Sequence, residues 1–290
     1  MTRESIIDQF SYRGDAGAIW EGFDQILDTQ GYLNLGYSGS FETHLIGSPQ
    51  QRLADHVATQ LEQAGVSRGD RLLDVGCGRG GPPMLFNRQL GVRSLGIDLV
   101  PYNLQLARAA AMEVPRPPTF TLADATRLPI CSHRLDCATA IDSIVYVDDL
   151  EQVLHELHRV LRPGSPAVIT DLLIEDRTEP TEPALEDFAE SWGFPTLRNV
   201  STYRTHLEDV GFRITIEEDL SPNSVGRFRK WTSRYRRLRR GMTNTAIEAV
   251  GARLDLDLEA IDRQVARAHE ALPHLEHRLF VVESGDAHDA

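Results

Sequence analysis

The sequence predicts an α/β protein. Its sheet is seven-stranded and mostly parallel, with an N-terminal helical cover over residues 1–60 and a helical lid, residues 221–276, inserted before the last strand. Three observations predict this. Five short apolar runs alternate with helix-periodic stretches between Asp70 and Asp171, the pattern of parallel strands covered by helices on both faces. Four of those runs close on an acid. Two further strand candidates, Phe212–Glu217 and His277–Glu283, are separated by about 60 residues of helical pattern.

Taken in order, Arg71–Val75 is an apolar run that opens into a glycine-rich turn, and Pro82 and Pro83 follow where the first turn of a helix tolerates proline. Val92–Asp98 is the second strand, followed by a helical stretch through Leu104 and Leu106 to Ala111 and a loop holding Pro115, Pro117 and Pro118. Thr119–Asp124 and Leu135–Asp142 are the third and fourth strands. Leu150, Val153, Leu154, Leu157, Val160 and Leu161 recur with helical period, and Arg162–Gly164 breaks that helix before the fifth strand, Ala167–Asp171. Residues 61–220 thus form the core. Residues 277–290 supply the last strand and a tail expected to fray from Asp286.

Composition narrows the function. With 30 basic against 43 acidic side chains, the 290-residue chain carries a formal charge of −13, which opposes broad nucleic-acid binding. Lys230 is the only lysine, a bias that fits a GC-rich genome as well as a salt-adapted, acid-rich proteome. A membrane-spanning helix needs roughly 18 consecutive apolar residues, and none occur. Met1–Phe10 lacks the apolar stretch of a secretory signal, and the odd cysteine set, Cys77, Cys131 and Cys137, contains no CxxC pair. The expectation is a soluble, cytoplasmic protein without disulfides or a metal site.

The chemistry-bearing pattern lies at the strand ends. Gly76-Cys-Gly-Arg-Gly-Gly81 bends tightly, lets a ligand touch backbone and aims amide N–H groups at it. Asp98 follows at the spacing at which an acid accepts from ribose hydroxyls, and Asp124 and Asp142 end the next strands at the crevice of a doubly wound sheet. A nucleotide-type cofactor is implied. The glycine spacing is not that of a dinucleotide fingerprint, and no P-loop is present.

Leu72–Gly81, Gly96–Leu99, Ala123–Ala125, Ala140–Ser143 and Leu157–Gly164 together resemble the ordered motifs of class I S-adenosylmethionine-dependent methyltransferases, which have a Rossmann-like fold. Within that class the chain is similar to the small-molecule branch, whose members act on quinones, sterols, tocopherols and natural products. The resemblance implies that Gly76 and Gly78 border the methionine moiety and that Asp98 holds the ribose. It also implies that Leu99 packs on the adenine, with Asp124 accepting from the adenine amino group and Ala125 alongside. Leu33–Tyr37 is similar to a segment that closes over the cofactor, so Tyr37 is expected at the methionine end. Asp142 is expected to offset the sulfonium and α-amino charges. A methyl sulfonium is reactive by itself, so the protein's task is to hold donor and acceptor in line.

One departure matters. Several O-methyltransferases of this branch carry histidines just after the fourth strand, where this chain has Val145 and Tyr146. Asp171 matches an acid of the acceptor pocket in some relatives, so Tyr146 and Asp171 are the candidates for orienting or deprotonating the acceptor. Losing the histidine tilts slightly toward a carbon acceptor. Trp192, Phe194 and Pro195 are candidates for an apolar acceptor wall, and His206 reads as a surface histidine.

The lid is the ambiguous part. Arg227–Arg240 is dense in arginine, and Phe228, Trp231, Tyr235, Leu238 and Met242 form one helical stripe. The stripe fits packing on the sheet, with solvated arginines around it. It also fits peripheral contact with an anionic membrane surface, or an arginine reaching an anionic acceptor. The resulting expectation is methyl transfer from S-adenosylmethionine to a small, apolar or prenylated, quinone-like acceptor, on carbon or oxygen. The alternatives are an RNA or protein methyltransferase that docks through the lid, and a cofactor-binding member that does not methylate. The sequence leaves the oligomeric state open.

Overall fold

The computed structural model describes residues 3–13, 21, 31–38, 48–195, 197–243, 245, 251–253 and 257–285. The expected fraying tail at 286–290 and part of the N-terminal cover lie outside the described residues.

The strands are β1 (Arg71–Val75), β2 (Arg93–Asp98), β3 (Thr119–Leu122), β4 (Cys137–Ile141), β5 (Pro166–Ile174), β6 (Phe212–Asp219) and β7 (Leu275–Ser284). They form one seven-stranded sheet in the order β3-β2-β1-β4-β5-β7-β6, in which β1 to β5 are parallel and β7 runs antiparallel to both neighbours. The chain order reverses between β1 and β4, where a doubly wound sheet opens its crevice. Every residue of β4 is buried, as a central strand covered on both faces requires.

Two cores flank the sheet. On one face Leu154 and Leu157 of helix Leu150–Val160 pack with Tyr203 and Leu207 of helix Val200–Asp209 against Ala138, Ile169 and Phe280. On the other, Leu53, Val57 and Leu61 of helix Pro49–Gln63 join Leu85 and Phe86 of helix Gly81–Gln89 over Leu72 and Val168. The N-terminal helix Arg3–Phe10 lies across the crevice side, where Arg3 pairs with Asp124.

Between β6 and β7 the long helix Val225–Arg240 packs on helix Leu258–Ala271. The Tyr235 hydroxyl donates to Asp262 at 2.6 Å, Arg239 pairs with the same carboxylate, and Thr232 bonds His269 at 2.8 Å. Phe228, Trp231 and Tyr235 stack on one another and join the packed interior, whereas Leu238 leaves the stripe and is 69% exposed. Most of the aromatic stripe therefore faces protein. Arg229, Lys230, Arg234, Arg237 and Arg240 face solvent.

Several strands end elsewhere than the apolar runs imply. β5 continues to Ile174, three residues beyond Asp171, because Leu172–Ile174 pair with Leu275–His277 of β7. This extension decides where Asp171 points.

Candidate active site

The crevice is built on the turn after β1. Gly76 has φ +69° and a Cβ there would sit 2.3 Å from the Ser143 Cβ, so only glycine fits. Ser143 in turn donates from its hydroxyl to the Val75 carbonyl at 2.7 Å. The Gly78 N–H donates to Asp98 Oδ2 at 2.8 Å and the Val100 N–H to Oδ1 at 2.8 Å. Asp98 thus ties the glycine turn to the end of β2. Burial pushes its pKa up despite the bonds from Val100, Gly78 and Asn103.

A first cavity runs along these strand ends, lined by Gly76, Gly78, Asp98, Leu99, Asp124, Ala125 and Asp142, with Leu33, Ile6 and Phe10 across from them. Asp124 Oδ1 accepts from the Thr126 N–H at 2.9 Å and hydroxyl at 2.8 Å, while Arg3 takes Oδ2. Seven of the eight residues expected to hold the cofactor are therefore brought to one cavity.

Tyr37 is the exception. It lines neither cavity: its ring stacks on His56 at 5.1 Å and 10°, and its N–H donates to the Pro49 carbonyl at 2.8 Å. Leu33 and Leu35 of the same segment face the crevice in its place; Gly36, at φ +80°, breaks the extended run between Leu35 and Tyr37, so Tyr37 does not share their side.

Asp142 sits where the first cavity meets a second. It holds φ +50°, unusual for a residue with a Cβ, and its side chain is over-determined. Oδ1 accepts from the Thr170 hydroxyl at 2.6 Å and contacts His277 Nε2 at 2.8 Å; Oδ2 accepts from the Leu35 N–H at 2.8 Å. Burial would raise its pKa, but His277, Thr170 and Leu35 outweigh it, and the carboxyl lies below its ordinary value. His277 is fully buried on β7 and was not legible as a site residue in the sequence, where it is simply a strand residue.

The second cavity opens beyond Asp142 and Tyr146, which line both. Its wall is aromatic and aliphatic: Val145, Leu172, Phe188, Trp192, Phe194, Phe228 and Trp231. Trp192 and Phe194 were expected there, while Pro195 is not among the lining residues. Tyr146 is wedged between Phe10, 5.1 Å away edge-on, and Phe194, 4.9 Å away. Burial, with the Asp142 and Asp171 charges, pushes its phenol well up, so it acts as a neutral donor at ordinary pH.

Asp171 does not reach either cavity. It is fully buried, accepts from the Val145 and Leu172 N–H groups at 3.2 Å, and accepts from the Tyr203 hydroxyl at 3.2 Å on the opposite face of the sheet. Because β5 runs on past it, strand alternation turns Leu172 to the cavity and Asp171 away. Burial and the Asp142 charge push its pKa up to about 8. Among the described residues the ionisable side chains lining the second cavity are Tyr12, Asp142, Tyr146 and Arg227, and no cluster of His, Cys, Asp or Glu suited to a metal ion occurs.

Comparison with known proteins agrees with this geometry. A methyltransferase domain family matches residues 73–169. The O-methyltransferase resE of Aspergillus sclerotiorum is 30% identical over 217 residues, covering 72% of this chain and 80% of that protein. Sterol 24-C-methyltransferase ERG6 of Saccharomyces cerevisiae is 28% identical over 177 residues, 59% of this chain and 46% of that one. In fold, the crystal structure of the cyclase SpnF superposes with a TM-score of 0.74 at 19% identity, over 98% of this chain and 96% of that one.

Proposed function

The chain belongs to the class I S-adenosylmethionine-dependent methyltransferases, in the small-molecule branch, and on that premise we propose that it methylates a small, largely apolar, quinone-like ring held in the second cavity. The observation that carries the reading is the junction of the two cavities at Asp142 and Tyr146. A nucleotide-shaped slot lined by carboxylates and glycines leads there into a pocket walled by rings.

The residues present fit the cofactor. Asp98 and Asp124 offer carboxylate oxygens at two points along the first cavity, for ribose hydroxyls and an adenine amino group. Leu99 and Ala125 supply apolar flanks for the adenine, and Gly76 and Gly78 let backbone approach the methionine end. Asp142 is held anionic by its own contacts and offsets the cationic end. Bound there, the cofactor supplies a methyl group on a sulfonium, whose thioether is the leaving group.

The chain's own contribution is position. Tyr146 borders both cavities and is the candidate to orient the acceptor by donating from its hydroxyl. Asp171 has no part at the acceptor in this reading; its oxygens secure the Val145 backbone and Tyr203. Relatives named for oxygen and for carbon methylation both support a small acceptor, and the second cavity suits either chemistry.

The test is methyl transfer from labelled S-adenosylmethionine into a cell extract, followed by partition between organic solvent and water. Label in the organic phase is expected. Label confined to acid-precipitated protein or RNA overturns the small-molecule reading.

A further inference from the structure

The second cavity is apolar over most of its wall, yet two of its lining residues, Arg227 and Gln50, each keep a buried polar atom without a partner. Arg227, near the start of the helix Val225–Arg240, donates from Nη2 to the Leu35 carbonyl at 2.9 Å, while its Nε is buried without an acceptor. No carboxylate is paired with it among the described residues, and the charge that acts on it is that of Arg52, of the same sign. Gln50 is 3% exposed, lines the same cavity, and its Oε1 has no donor.

A guanidinium taken out of water without a counter-charge destabilises the protein that holds it. This chain has 43 acidic residues to draw on, and it pairs Arg71, Arg159, Arg204 and Arg239 with acids elsewhere. Arg227 instead meets the Leu35 carbonyl and lines a cavity walled mostly by apolar side chains. Among the described residues, no carboxylate therefore answers the charge of this half-buried arginine.

We infer that the acceptor carries an anionic oxygen group, a carboxylate or an ionised enol or phenol, which pairs with Arg227 while its apolar body lies among Phe188, Phe194 and Phe228. The inference rests on the reading of the second cavity as the acceptor site. The planar fork of an arginine suits two-oxygen groups, and here only one bond, from Nη2 to the Leu35 carbonyl, is committed among the described residues. Gln50 adds an acceptor for a hydroxyl on the same ligand. Where the ionised oxygen is itself the nucleophile, methyl transfer releases no proton and needs no base from a wall that offers none besides the paired Asp142.

The experiment is calorimetric titration of the full chain, saturated with S-adenosylhomocysteine, with 2-naphthoate and with its neutral isostere naphthalene-2-carboxamide. The wild type is expected to bind the anion at least about tenfold more tightly than the amide. Arg227→Gln keeps a donor for the Leu35 carbonyl and removes the charge; it should bring the two affinities together. Arg227→Lys, which keeps the charge but loses the fork, should retain part of the preference, and both variants should bind S-adenosylhomocysteine as the wild type does. Equal affinity of the wild type for the two probes, including none for either, overturns the inference. So does a preference that survives Arg227→Gln, or a parallel loss of S-adenosylhomocysteine binding, which would assign the cation to the cofactor. A wild-type chain that fails to bind S-adenosylhomocysteine at all removes the underlying reading instead, and the proposal with it.

Discussion

Replacing Asp98 with asparagine changes one atom and probes both the turn and the cofactor. The carboxylate is 8% exposed and accepts backbone N–H groups from Gly78 and Val100, each at 2.8 Å. Asparagine has one oxygen and one NH2, so in either rotamer one of these buried donors meets another donor. Stranding a buried N–H costs about 1–3 kcal/mol. At roughly 2 °C per kcal/mol for a chain of this size, the cofactor-free protein should melt about 2–6 °C lower. The ligand loses separately. Bonds from two ribose hydroxyls to a charged oxygen are worth about 1.5–3 kcal/mol each, against about 1 for a neutral acceptor. The combined loss is about 3 kcal/mol, on the order of 100-fold in Kd for S-adenosylhomocysteine. Calorimetric titration measures the affinity, and a thermal melt without ligand separates weak binding from partial unfolding. A variant that binds S-adenosylhomocysteine within about threefold of wild type refutes the placement of the ribose at Asp98.

Two other perturbations test Asp171, which the structure turns away from both cavities, and the glycine turn at Gly76. Burial holds Asp74 up to about 7 and Asp171 up to about 8, so both stay protonated in the fold where the unfolded chain is ionised, above about pH 4. The folded state then binds more protons, and this contribution to stability is full below about pH 4 and is lost as pH rises through about 7 to 8. The melting temperature should therefore carry a component that falls over that window. Asp171→Asn, which is neutral throughout and keeps the contacts to Val145 and Tyr203, should remove its share of that slope, leave the share of Asp74, and keep turnover within about twofold of wild type. A loss of about tenfold in turnover with an unchanged melt would put Asp171 back at the acceptor. Gly76→Ala brings a Cβ to 2.3 Å from that of Ser143 at φ +69°, an overlap between two short side chains that no flexible end can relieve. It should cost on the order of 3 kcal/mol and abolish S-adenosylhomocysteine binding. A variant that melts and binds normally would show that the turn tolerates a side chain.

The glycine turn, Asp98 and Asp124 were readable because they depend on the local chain: a turn with positive φ, an acid at a strand end, and a spacing set by one βαβ unit. The helix Leu150–Val160 was readable from its period alone. Tyr37 and Asp171 line neither cavity although their segments were identified, because the side each faces depends on geometry the local pattern does not carry: the positive φ of Gly36 before Tyr37, and the length of the strand that holds Asp171. β5 is long only because β7, about a hundred residues later in the chain, pairs with it as far as Ile174.

The sequence by itself determined the fold class, the cofactor and the residues of the first cavity, since consecutive βα units bring their own strand ends together. Tertiary structure alone decided the second cavity. His277 reaches Asp142 across 135 positions and Arg227 reaches Leu35 across 192, contacts for which local periodicity carries no signal. The same assembly makes Arg227 different from the other arginines of its run. Arg229, Arg234, Arg237 and Arg240 remain in water and Arg239 finds Asp262, whereas Arg227 is half-buried at the wall of the second cavity, and only the packing of the lid against the N-terminal segment produces that difference.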